Sequence, residues 1–186
     1  MRNMSFALTV PQIMAGTKTQ TRRLGWKTLN RGDELQAVVK SQGLKKCERV
    51  ENLRVIRVTY IFRERLNCLL RETRMEPGIG RRDVDREGFP DMTPQQFVAF
   101  FCATHTGCTP EMEVTVIGFE YVAAVGDLVE TSALVSGRPW TGRIEGIDPK
   151  NGECKVVPLD GGNPAYLHQT ALAGFKVLPQ AEAVFG

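Results

Sequence analysis

One strong helix signal sits among segments written for strands, and that mixture constrains the fold most. In "MTPQQFVAFFCATH" (92–105), Thr93 is a good N-cap, Pro94 takes the first helical position, and Gln96 completes a capping-box-like spacing. Phe97, Phe100 and Phe101 fall on one face of that helix and are expected to pack into the core. Ahead of it, "TVPQIMAG" reads as a short helix, with Thr9 as cap, Pro11 in the first turn and Gly16 as terminator. "TKTQTRRL" then alternates as a strand, with Thr19, Thr21 and Arg23 on one face and Gln20, Arg22 and Leu24 on the other. A turn at Arg31–Gly32 leads to a strand through Leu35–Val39, and "ENLRVIRVTYIFRERL" supplies a β-branched third. "CLLRETR" suggests another helix beside a Gly-rich break at "EPGIGRR", and "EVTVIGFEYV" reads as a closing strand. Helices and strands together predict an α+β unit over 1–122.

From residue 123 the pattern changes. Short β-prone pieces (Leu128–Val129, Trp140–Ile147, Cys154–Pro158, Phe175–Leu178) are separated by "SGRP", "DPKNGE" and "DGGNP". Turn signals at that spacing predict a small all-β barrel over 123–186.

The formal charge of +3 is divided unevenly: residues 1–122 carry 19 Lys+Arg against 14 Asp+Glu, and 123–186 carry 5 against 7. A polyanion or phosphate-bearing partner is therefore expected at the first unit, against the plainer reading of a solvated basic face. No apolar run reaches the roughly 18 residues of a membrane span. The start of the chain is too polar for a signal peptide, so a cytoplasmic setting without membrane association is expected. The five cysteines are odd in number and irregular in spacing, unlike a disulfide framework. Cys102, His105 and Cys108 are too few for a structural zinc, and no metal or cofactor motif emerges.

The stretch "AGTKTQTRRLGWK" concentrates the chemistry. It holds Lys18, Arg22, Arg23 and Lys27, with Arg31 close behind, and no acid. A threonine hydroxyl becomes a nucleophile only when a base takes its proton, and a neutral lysine can do so. Neighbouring cations and desolvation both favour the neutral amine. Arg23 can steady an oxyanion or hold a phosphate. On a regular strand Lys18 and Thr21 point to opposite faces, so they meet only if Lys18 lies in the bend after Gly16. Trp26, beside Arg22, Arg23 and Lys27, has the composition of a base-stacking position or of ordinary core packing.

Taken in order, "GTKTQTRR", "RGDEL", "REGFPDMTPQQFVAFF" and "VIGFEYV" resemble the ASCH domain of the PUA-like superfamily over residues 4–122, particularly the form found in phages and prophages. The remainder is similar to Tudor or KOW-type barrels. The resemblance implies a β-barrel flanked by helices, with a cleft for a nucleobase or RNA segment, in bacterial or phage-infected host cytosol. Some members remove the acetyl group from 4-N-acetylcytidine. Carried over, that pattern falls on Gly16, Lys18, Thr21 and Arg23, with Glu87 of "REGFP" as the glutamate. It implies Thr21 as nucleophile, Lys18 as base and Glu87 as acid or orienter. The alternatives are a non-catalytic RNA or modified-base reader, in which Lys18, Arg22, Arg23 and Trp26 bind phosphate and base with Gly16 and Lys27 beside them, or a ribonuclease.

Overall fold

Strand propensity and turn chemistry build two separate sheets along the chain. The computed structural model describes residues 1–71, 78–130, 140–168 and 176–178. It divides into one unit of Met1–Ile13 with Thr17–Glu120 and a second of Met14–Gly16 with Tyr121–Gly186.

The first unit is mixed α and β. Its strands are β1 (Arg2–Ser5), β2 (Gln20–Arg23), β3 (Glu34–Val38), β4 (Asn52–Arg65) and β5 (Glu113–Tyr121), ordered β1-β3-β4-β5-β2 in a single sheet that curls as a half-barrel. β1 runs parallel to β3, which runs antiparallel to β4; β2 runs antiparallel to β5, with Thr21 opposite Ile117 and Arg22 opposite Val116. β2 is thus an edge strand, yet Gln20, Thr21 and Arg22 are all buried.

The short helix α1 (Val10–Met14) precedes β2, and Gly16, at φ 70°, turns the chain between them. The segment "CLLRETR" was expected to be helical; Leu66–Leu70 forms a 3₁₀ turn, and residues 72–77 lie outside the described ones. The expected break at "EPGIGRR" is partly a helix, because α2 spans Ile79–Arg86. Two glycines suppress its sequence signal, but close packing needs one of them: a Cβ on Gly80 would stand 2.2 Å from the Leu69 carbonyl oxygen.

Helix α3 (Pro94–Thr104) starts with the capping box read from the sequence. Gln96 N donates to Thr93 Oγ1 at 3.2 Å, and Thr93 N donates to Gln96 Oε1 at 2.8 Å. Its apolar face joins Leu66, Leu69, Val84 and Val114 in a core that includes Phe97 and Phe101. Phe100 lies at the side of that face, against Phe89 at 5.4 Å between ring centres.

The second unit is an antiparallel sheet ordered β10-β6-β7-β8-β9, from β6 (Leu128–Glu130), β7 (Thr141–Ile147), β8 (Glu153–Pro158), β9 (Ala165–His168) and β10 (Lys176–Leu178). β9, hidden in the sequence behind "DGGNP", was not expected as a strand. Val129, Ile144, Cys154 and Val156 form its core, and Trp140 packs against them. Among the described residues the sheet is open, with no pairing between β9 and β10. The piece from Phe175 was expected in a strand; Phe175 itself lies outside the described residues.

Candidate active site

Polar side chains buried on an edge strand need partners, and β2 finds them around Glu87. This glutamate follows the last turn of α2, where its N–H still bonds Asp83 O at 2.9 Å. Its Oε2 accepts from the Arg22 main-chain N–H at 3.1 Å, filling the place a further strand would take. Its Oε1 accepts from Arg22 Nη1 at 3.0 Å and from Gln20 Nε2 at 3.4 Å. Tyr60 donates to Gln20 Oε1 at 2.6 Å and fixes that amide. The tyrosine ring lies over Gly118, where a Cβ would meet it at 2.1 Å.

Lys18 comes to the same carboxylate from the bend before β2. Its Nζ donates to the Glu87 main-chain carbonyl and stands 3.5 Å from Glu87 Oε2, with both side chains almost fully buried. The ammonium also lies 5.8 Å from the ring centres of Phe6 and Phe89. Burial outweighs the attraction of Glu87, and with the repulsion of Arg23 and Arg22 it lowers the Lys18 pKa from 10.5 to about 8.

The two faces of β2 do different work. Arg22, with its side chain only 1% exposed, is shared among three carboxylates: Glu87 at 3.0 Å, Glu64 at 2.8 Å and Asp83 at 2.7 Å. Burial pulls its pKa down, but those carboxylates together raise it above the ordinary arginine value. Arg22 was expected to contact substrate; it lines the cavity, but its Nη1 is engaged with Glu87 and its Nε and Nη2 with Glu64 and Asp83. On the other face, Arg23 Nε donates to Thr21 Oγ1 at 3.2 Å, and its Nη2 donates to the Ser5 carbonyl. The Arg23 guanidinium carbon sits 5.1 Å from the Phe6 ring centre, and burial lowers its pKa. A cation bonded to a hydroxyl oxygen favours that oxygen's anionic form.

Lys18, Thr21, Arg22, Arg23 and Glu87 all line one cavity of about 260 Å³. Its other walls are largely aromatic: Phe6, Phe89, Phe97, Phe100 and Phe101, with Thr104 and His105 at the end of α3. The bend after Gly16 lets Lys18 and Thr21 reach one space although strand alternation alone would separate them. Gly16 itself is not in the lining. Trp26 and Lys27 lie elsewhere, in an open hollow of about 540 Å³ shared with Arg2, Asn3, Leu24 and Thr28. There Arg2 stacks over the Trp26 ring at 5.4 Å, and Trp26 adopts a left-handed φ of 57°.

Glu64, Asp83, Tyr60 and the phenylalanine wall were missed by sequence reasoning. One signal existed: Asp83 and Glu87 are four residues apart, a repulsive spacing on a helix unless a cation joins them. Arg22 is that cation. Cys102 and Cys108 are free thiols with sulfurs 3.6 Å apart beside this core, and burial raises the Cys108 pKa to about 11.

No family model and no curated protein matches the chain. A crystal structure of an Enterococcus faecalis protein of family DUF984 is similar over 61% of this chain and 69% of its own, at 18% identity and a TM-score of 0.40. That likeness is too loose to carry an argument. No described helix is long and apolar enough to cross a membrane.

Proposed function

We propose that the first unit is an ASCH-like, PUA-type domain. It hydrolyses the acyl group from the exocyclic amine of a cytidine-like nucleoside. The observation that carries this reading is the meeting of Lys18, Thr21, Arg23 and Glu87 at one small aromatic-walled cavity. Its volume lies below the about 300–1,000 Å³ of drug-sized pockets, which suits a single flat base better than a strand of nucleotides.

Lys18 and Thr21 line the same cavity, which supports the following chemistry. Neutral Lys18 takes the Thr21 proton as Oγ1 attacks the acyl carbon, and Arg23 stabilises the developing oxyanion. The amide C–N bond then breaks, and the proton held by Lys18 passes to the leaving nitrogen. Water, deprotonated by Lys18, attacks the acyl–Thr21 ester; the acyl–Oγ1 bond breaks, the carboxylic acid leaves, and Lys18 returns the proton to Oγ1. The Glu87 carboxylate accepts each hydrogen bond it makes, so we assign it the role of orienting Lys18 rather than that of an acid.

The second reading, an RNA or modified-base reader, draws its support from the Arg2–Trp26–Lys27 hollow. Incubation with 4-N-acetylcytidine, followed by chromatography, separates the two. Cytidine release that disappears in Lys18→Ala and Thr21→Ala supports the hydrolase. An untouched substrate, with salt-dependent RNA binding weakened by Trp26→Ala or Lys27→Ala, favours the reader. Shortened RNA on a gel points to a ribonuclease.

A further inference from the structure

The polar groups lining the cavity are rich in donors and poor in open acceptors. Lys18 and Arg23 can only donate when charged, and Glu87 already accepts from Lys18, Gln20 and Arg22. The Ser5 hydroxyl is engaged with Ser41 at 2.7 Å. The five phenylalanines offer no acceptor of ordinary strength.

His105 is different. It caps the C-terminus of α3, and its ring stacks on Phe101 at 4.2 Å between centres and 19° between planes. Its Nδ1 lies 2.9 Å from the Phe101 carbonyl oxygen. A carbonyl oxygen only accepts, so in this contact Nδ1 carries the proton. The Thr104 hydroxyl, 3.2 Å from the same nitrogen, is itself aimed at the Phe100 and Phe101 carbonyls at 3.0 Å. With Nδ1 protonated, the neutral ring has its lone pair on Nε2, and Nε2 has no hydrogen-bond partner among the described residues. His105 is nonetheless among the residues that line the cavity.

We propose that His105 is a specificity residue of this site: its Nε2 accepts a hydrogen bond from an N–H or O–H of the bound nucleoside. The inference rests on the cavity being a nucleoside site, as proposed above. It adds a contact opposite in sense to those from Lys18 and Arg23, selecting a ligand that presents a donor as well as an acyl acceptor. The donor is either the acylated exocyclic amide or a ribose hydroxyl.

The test measures 4-N-acetylcytidine binding by calorimetry in a Thr21→Ala background, where the ligand is not consumed. His105→Leu is expected to weaken binding about tenfold, the worth of one hydrogen bond, while His105→Gln, which retains an acceptor, stays within about threefold. Circular dichroism checks that each variant folds, and the Gln variant keeps the comparison valid if Leu disrupts the helix end. Equal affinity of the Leu and parent proteins overturns the inference, even where the Thr21 protein with its native site releases cytidine. Binding that depends on His105 without any cytidine release from the native protein overturns the hydrolase reading instead. Failure of the parent protein to bind the probe overturns both. If the tenfold loss vanishes with 4-N-acetyl-2′-deoxycytidine, the donor is the ribose 2′-hydroxyl; if it persists there and with 4-N-acetylcytosine, which lacks the sugar, the donor is on the base.

Discussion

Lys18 combines two properties that pull apart in most proteins: it is buried, and it has a carboxylate beside it. Burial wins, and a pKa of about 8 leaves a substantial neutral fraction near physiological pH. If Lys18 is the base, kcat/KM should rise with pH and level off above about 8, because the neutral amine is the active form. A flat profile from about pH 6 to 9 would remove Lys18 from that role. The same shift makes a stability prediction. Between about 8 and 10.5 the unfolded chain holds more protons at this lysine than the folded one, so this group's contribution makes stability rise with pH there. Arg22 carries the opposite burden. Removing it leaves Glu87 buried with its strongest partner gone, and Arg22→Ala should cost about 3–5 kcal/mol in urea unfolding. A loss under about 1 kcal/mol would show that Glu87 does not need Arg22. Composition could not distinguish these two cations. "TRR" shows charge, and only the partners of each residue decide between a clamp for ligand and a clamp for Glu87.

Elements with self-contained signals were legible, and those defined by their neighbours were not. α3 announced itself because Thr93, Pro94 and Gln96 satisfy its first turn locally. α2 stayed hidden because Gly78 and Gly80 read as a break, whereas Gly80 is needed for contact with Leu69. β2 was readable as a strand by alternation, but its burial was not, since nothing local says that an edge will be sealed by the carboxylate of Glu87, just past α2. The junction after α2 has its own test. Gly88 holds φ +85°, and a Cβ there would meet Gln12 and Lys18 side chains at 3.3 and 3.4 Å. Gly88→Ala should lower stability by about 1–2 kcal/mol from the left-handed backbone alone, and should shift the pH profile set by Lys18. Unchanged stability and an unchanged profile would mean that this turn does not position the lysine.

Across the molecule, several of the first unit's cations are held in ion pairs while its net positive charge remains. Besides Arg22, Arg57 pairs with Glu34 and Glu120, Arg63 with Glu113, Arg81 with Asp85 and Arg2 with Asp33. A count of residues shows the net charge but not which cations are paired. On the hydrolase reading the cavity of about 260 Å³ takes one base, so mixed-sequence RNA should bind weakly, and raising salt from about 50 to 200 mM should change its affinity by about tenfold or less. A drop of a thousandfold would reveal many phosphate contacts and favour the reader. The measurement that reaches the central claim most directly is mass spectrometry of protein mixed with 4-N-acetylcytidine and acid-quenched within the first turnover. The peptide spanning Thr21 should gain the mass of one acetyl group, and the gain should vanish in Lys18→Ala. Cytidine release with Thr21 unlabelled, and with turnover retained in Thr21→Ala, would contradict the Lys18–Thr21 pair.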